Sequence, residues 1–228
     1  MRIVAITTLS PSQNVLSTFG FQSVKGFLEI QGIEKIVVLC DKINDESECL
    51  HHERLIIDRC WKQNSILNLI TLAYKVFLYS PDVIWLNFQY TLFGPSLISS
   101  FIGMFLIPVL RLMGYPVLTI LHNYYKVIDF DRLGMKKTNI LKNLVSFVDP
   151  VIMWVILMSN KIFVMSKDYL DDLRSRYPSA DVEYVDQDLW EVPSYRSVKS
   201  NTKNILVFGV FGTYKKLEPL LDISIVVF

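Results

Sequence analysis

Pro116-Val117-Leu118-Thr119-Ile120-Leu121-His122-Asn123 is an apolar run of strand length that ends abruptly in two polar side chains. In a parallel sheet the central strands are apolar on both faces, and ligands bind outside the carboxyl ends of those strands. The run therefore predicts a central strand, and His122 stands where a ligand would be met. Position alone leaves two readings of His122 open: a strand-end cap bonded to a loop carbonyl, or a group that faces a ligand.

Outward from this run, two periodicities alternate along the chain. Arg2 to Thr7 predicts a first strand, and the polar loop Thr8-Leu9-Ser10-Pro11-Ser12-Gln13-Asn14 leads into a helix that runs to Gln31. Val15, Phe19, Val24, Phe27 and Leu28 recur on its inward side at helical spacing, and Gly32 ends it. Lys35 to Cys40 predicts the second strand, Asp41 to Glu53 a charged loop, and Arg54 to Asp58 a short edge strand. A helix over Gln63–Tyr79, a strand over Asp82–Asn87 behind the Pro81 breaker, and one buried helix over Pro95–Met113 follow. Past Asn123 to Gly134, a loop rich in aromatic and charged residues, a second apolar helical region covers Met135 to Asn160, broken at Asp149-Pro150. Lys161 to Met165 predicts another strand, and Ser166 sits at the N-cap of a helix over Lys167–Tyr177. Asp168, Asp171 and Asp172 fall in the first turns of that helix, as its dipole favours, and Asp181 to Val185 is a weaker strand. This order predicts an α/β fold, a parallel sheet flanked by helices.

Composition narrows the function. Of 228 residues 51% are hydrophobic and 20% charged, which excludes disorder and calls for a large buried sheet or membrane contact. A net charge of +1 gives no electrostatic case for nucleic acid. The three cysteines, Cys40, Cys49 and Cys60, form no CxxC pair and fit reduced cytoplasmic thiols. His51 and His52 lie between Cys49 and Cys60, but the spacing matches no zinc pattern, so no metal is expected. Ile3-Val4-Ala5-Ile6 is too short for the apolar core of a signal peptide. Val83 to Leu110 carries no charge and is long enough to span a bilayer, yet Asn87, Gln89, Gly94, Pro95 and Pro108 interrupt it. It reads as strand, turn and buried helix.

Residues 1–187 are expected to form one domain and 188–203, polar and containing Pro193 with several serines, a linker. Residues 204–228 would begin another domain. There Asn204 to Gly209 predicts a strand, Gly209-Val210-Phe211-Gly212 a turn, and Tyr214 onward a helix. A strand and helix alone cannot bury a core.

Taken in order, several of these pieces resemble the family 4 glycosyltransferases of the GT-B fold. They are the first strand with its polar loop, Pro81-Asp82-Val83-Ile84-Trp85, Tyr115 to Asn123, Ile162-Phe163-Val164-Met165-Ser166, and Ile205 to Lys216. The resemblance implies two Rossmann-like domains facing across a cleft, the second incomplete here. It further implies retaining transfer of a sugar from a nucleotide-sugar donor to a glycan or lipid-linked acceptor, with no cofactor and no obligatory metal. On that basis His122 is the candidate catalytic residue, placed beside the transferred sugar. A neutral imidazole can donate to a sugar hydroxyl or accept from one, and it adds no fixed charge beside a diphosphate. Ser10, Ser12, Gln13 and Asn123 are the acceptor-side candidates, and Gly209, Gly212 and Lys215 those for the donor phosphates. A glycine turn at a helix start offers free N–H groups to phosphate oxygens, and Lys215 adds a point charge.

The chain departs from the family pattern in three places. No glycine pair occupies the first strand-to-helix loop, Val210 stands where a basic residue is usual, and Ile120 stands where threonine is usual, two before the histidine. Thr119, one earlier, should face away from His122 by strand alternation. The donor domain of the resembled family continues well past the place of Phe228 and holds an acidic motif that grips the donor, so the chain by itself is expected to transfer no sugar. Lys126, Arg132, Lys136, Lys137 and Lys142 interleave with Tyr124, Tyr125 and Phe130, a pattern suited to a solvated loop or to an anionic membrane surface at the inner leaflet. Rival readings are a non-catalytic remnant or one subunit of a split transferase acting as a docking module, an integral membrane protein, and a dinucleotide-dependent oxidoreductase. The last lacks a GxGxxG run after the first strand, although Asp41 does end the second.

Overall fold

The computed structural model describes residues 1–12, 15–43, 51–122 and 150–186. They belong to one compact unit drawn from Met1–Tyr124 and Val148–Leu189. In chain order the elements are β1 (Arg2–Ile6), α1 (Val15–Glu29), β2 (Lys35–Asp41), β3 (Leu55–Trp61), α2 (Asn68–Tyr79), β4 (Val83–Phe88), α3 (Leu97–Met104), α4 (Leu106–Leu112) and β5 (Val117–Leu121). Helical residues 150–157 (α5), β6 (Lys161–Val164), α6 (Lys167–Arg176) and β7 (Val182–Tyr184) follow.

All seven strands pair in parallel, in the order β3-β2-β1-β4-β5-β6-β7. Alternate side chains feed two cores. Ile3, Ala5, Ile36, Val38, Trp85 and Ile120 pack on one face with Phe19, Val24, Phe27 and Leu28 of α1. Val4, Ile6, Val37, Leu39, Ile84, Leu86, Val117 and Leu121 pack on the other with Leu72 and Val76 of α2, Leu106 and Leu110 of α4, and Ile156 of α5. Burial on both faces is why these strands read as unbroken apolar runs. The expected α/β class holds. The chain order places β1 between β2 and β4, so successive connections leave β1 in opposite directions and open a crevice at the carboxyl edge there.

Several boundaries differ from expectation. The single helix over Pro95–Met113 is two, α3 and α4, parted at Phe105, whose N–H turns back to the Ile102 carbonyl 3.1 Å away. Their outer side is not buried: Ile98, Phe101 and Leu112 are exposed. The short edge strand extends to Trp61, because β2 and β3 stay paired across a register shift at Cys40/Asp41. The helix expected from Gln63 starts at Asn68, since Asn64 takes a positive φ of 60° and gives its N–H to the Phe93 carbonyl at 2.6 Å. Ser166 does hold the N-cap position of α6, in extended backbone, but its side chain makes no capping bond. α1 ends at Glu29, short of the expected Gln31, and Gly32 takes a left-handed φ of 92° in the turn that follows. Among the described residues no helix is long and apolar enough to cross a membrane. The expected linker at 188–203, the strand and helix over 204–228, and 123–149 lie outside the described residues.

Candidate functional site

β5 delivers His122 to the carboxyl edge of the sheet, and β4 delivers Asn87 beside it. Asn87 is the register partner of Ile120, so it shares a face with Ile120 and His122 and reaches the histidine on the diagonal. The backbone N–H of His122 continues the ladder to the Phe88 carbonyl at 3.1 Å. Asn87 Oδ1 bonds His122 Nε2, while Asn87 Nδ2 bonds Thr7 Oγ1 at 2.8 Å and the Leu16 carbonyl at 3.1 Å. Thr7 Oγ1 in turn donates to the Thr8 carbonyl at 3.0 Å. One string of side chains therefore joins the ends of β5, β4 and β1 with the first turns of α1, across the crevice where strand order reverses.

This string is shielded. Asn87 and Thr7 are fully buried. Phe19 of α1 meets the His122 ring edge-on at 4.7 Å between centroids. Burial holds the His122 pKa down at about 4 instead of 6.5, so the ring is neutral near pH 7. Thr119 turns to the opposite face, as alternation required, and bonds Ser159 Oγ at 2.7 Å. A buried hydroxyl there is satisfied structurally and plays no part beside His122.

The loop after β1 is tied down without glycines. Ser12 Oγ donates to Asp41 Oδ2 at 2.5 Å, Arg59 Nη2 donates to the Ser10 carbonyl at 2.6 Å, and Ser17 Oγ holds the Ser12 carbonyl. The Ser10–Pro11 peptide is cis. Arg59 Nη1 also reaches the Asp41 carbonyl at 3.2 Å, so β3 clamps the end of β2 and the loop together. Asp41 is buried, and among the described residues its Oδ1 has no hydrogen-bond partner. Ser10 and Ser12 thus follow β1, with β4 between them and His122, and the Ser12 hydroxyl is committed to Asp41.

Gln13, Asn123, Gly209, Gly212 and Lys215 lie outside the described residues. Among the described residues no cluster of His, Cys, Asp or Glu has a metal-binding arrangement. Asn87, Thr7, Phe19, Asp41 and Arg59 complete the neighbourhood and were not singled out from sequence as site residues. For Asn87 the signal was present: Val83-Ile84-Trp85-Leu86-Asn87 ends an apolar strand in a polar residue just as Val117 to His122 does.

No protein-family model matches the sequence, and no curated protein matches it. Solved structures match at the level of fold. One is the apo structure of UGT2 from Phytolacca americana, a UDP-glycosyltransferase, with a TM-score of 0.51 and 9% identity over 81% of this chain and 51% of that one. The chain thus spans about half the length of that neighbour. What the two share is an α/β, Rossmann-like fold of the kind found in GT-B glycosyltransferases.

Proposed function

We propose that the chain is the acceptor-side part of a glycosyltransferase of the family 4 type. The acceptor, a glycan or a lipid-linked sugar, lies against His122 and the Ser10–Ser12 loop. A nucleotide-sugar donor is held through Gly209, Gly212 and Lys215. The observation that carries this reading is the string His122–Asn87–Thr7 at the strand-order reversal, a half-buried and neutral imidazole held in place where open α/β sheets bind ligands.

The test follows the His122 side chain by NMR during titration with lactose, methyl α-D-glucoside and a micelle-borne polyprenyl glucoside. UDP-glucose, UDP-N-acetylglucosamine and GDP-mannose are tested in parallel by ultrafiltration. Saturable perturbation of His122 by one of the hydroxyl-bearing probes, lost in His122→Ala, is the expected result. Binding of none of these probes overturns the reading.

A peripheral position on an anionic membrane is part of the same proposal. Besides the basic and aromatic residues of Lys126 to Lys142, the outer face of α2 supports it. Ile70, Tyr74, Phe77 and Leu78 are exposed there, and Lys75, the helix's charged residue, is drawn away into an ion pair with Asp58 at 2.8 Å. Between α2 and α4 an open groove of about 420 Å³ is lined by Leu69, Ile70, Tyr74, Phe77, Val109 and Met113. An uncharged aliphatic and aromatic face of this kind suits the headgroup boundary of a bilayer. Sedimentation with phosphatidylglycerol vesicles at low salt, weakened in Ile70→Glu and Phe77→Glu, is expected. Failure of the wild-type chain to sediment removes this part of the proposal.

A further inference from the structure

The hydrogen bonds around Asn87 carry direction as well as distance, and the direction settles which ring nitrogen of His122 is available. A main-chain carbonyl can only accept. Asn87 lies 3.1 Å from the Leu16 carbonyl, so the amide group that faces it is the NH2. The other amide proton is directed at Thr7 Oγ1, 2.8 Å away, whose own proton is taken by the Thr8 carbonyl at 3.0 Å. Two carbonyls, of Leu16 and Thr8, therefore fix the polarity of the string from two separate places in the chain. Asn87 Oδ1 is left facing His122 Nε2, and an amide oxygen cannot donate, so Nε2 must carry the proton.

We infer that Asn87 is a positioning residue: it locks His122 as the Nε2–H tautomer and thereby leaves Nδ1 as a bare acceptor, which selects a hydroxyl-bearing ligand and rejects an anionic one. The ligand half of this statement rests on the proposed acceptor site; the tautomer half does not. Among the described residues nothing bonds Nδ1, and Nδ1 is not one of the buried polar atoms left without a partner. Phe19 holds the ring's other degree of freedom by its edge-on contact at 4.7 Å. A neutral acceptor nitrogen attracts an O–H and repels the lone pairs of phosphate or carboxylate oxygens. A sugar hydroxyl therefore meets His122 as donor, and the diphosphate of a nucleotide sugar must be held elsewhere.

The experiment records proton–nitrogen correlation spectra of the chain carrying isotope-labelled histidine, near neutral pH and without ligand. Expected for His122 is a protonated Nε2 with slow solvent exchange and a bare Nδ1. In Asn87→Leu the Nε2 proton should exchange about tenfold faster or more, the loss of one part-buried hydrogen bond. In Thr7→Val, which retains the Leu16 anchor, the tautomer should persist. A protonated Nδ1 in the wild type, or an Asn87→Leu spectrum unchanged from it, overturns the positioning role. The wild-type reading needs no variant, so a failure of Asn87→Leu to fold does not shelter the idea. Titration with methyl α-D-glucoside should then move the Nδ1 resonance, and inorganic pyrophosphate should not. A Nδ1 response to pyrophosphate overturns the ligand selection. A silent Nδ1 with the expected tautomer overturns the acceptor-site reading while leaving the positioning role standing.

Discussion

Gly20 of α1 lies against Thr7 at the end of β1. A Cβ on Gly20 would overlap Thr7 Oγ1 and stand 2.9 Å from both Thr7 Cγ2 and the Thr8 carbonyl oxygen. The helix can approach the string that positions His122 because nothing projects from it at that point. The Thr8 carbonyl is backbone and cannot swing aside, so a methyl there must displace either the helix or the string. Gly20→Ala should therefore lower stability by about 1–2 kcal/mol, the overpacking cost reduced by the helix propensity that alanine adds. Urea midpoints measure it, and a stabilised Gly20→Ala would mean that α1 stands further off than described.

His122 makes stability depend on pH. Its folded pKa, held at about 4 by burial, lies below the unfolded value of 6.5, so the unfolded chain takes up a proton that the folded chain refuses. The stabilising contribution is fully present above pH 6.5 and is lost progressively as pH falls from 6.5 towards 4. At 1.36 kcal/mol per unit, a shift of this size amounts to at most about 3 kcal/mol. His122→Gln should remove that part of the acid slope. Denaturation of both proteins across the window, with unchanged slopes in the variant, would contradict the half-buried neutral ring.

The Ser12–Asp41 bond should prove coupled. Asp41 already has one buried oxygen without a partner, and Ser12→Ala leaves the other without its donor. An expected loss of about 1–3 kcal/mol follows from stranding a buried carboxylate oxygen. In an Asp41→Ala background the same Ser12→Ala change should cost less by about 1 kcal/mol. Additive effects in the double-mutant cycle would mean that the two side chains do not meet.

Cys40 and Cys60 should be chemically quiet. Burial raises each thiol to about 12 from 9.0, so near neutral pH the thiolate is rarer by about a thousandfold than in a free cysteine. They also belong to different cores on opposite faces of the sheet, which keeps them from pairing. Brief treatment of the native chain with a thiol-specific disulfide reagent, followed by peptide mass spectrometry, should leave both unmodified. Denaturant should expose them together.

Much of the fold was legible because its strands obey one simple condition. Ile3 to Ile6 and Ile36 to Cys40 are apolar at consecutive positions, and Val117 to Leu121 is so except at Thr119, because a strand with two buried faces places apolar side chains on both. The His122 position was legible for the same reason, as the first polar side chain past a buried strand. Asn87 gives the same signal at the end of the strand over Asp82–Asn87, but its sequence context marks it as a strand end and an interruption of an apolar stretch, not as a partner of His122. Boundaries set by distant partners were not legible. The start of α2 is delayed by Asn64 meeting the Phe93 carbonyl, and the end of β3 is drawn out by pairing with β2. Neither partner lies within the window over which periodicity is felt.

The sequence by itself determined that this is a layered α/β chain and that a histidine ends one of its central strands, since both follow from local apolar pattern. Only the tertiary structure decided which strands are neighbours, and hence that Asn87 stands between Thr7, 80 residues away, and His122, 35 residues away. The direction of every hydrogen bond in that string, and with it the protonated nitrogen of His122, depends on the carbonyls of Leu16 and Thr8, which any residue type would supply. A carbonyl is invisible in a residue pattern and becomes a chemical constraint when the backbone is folded around it.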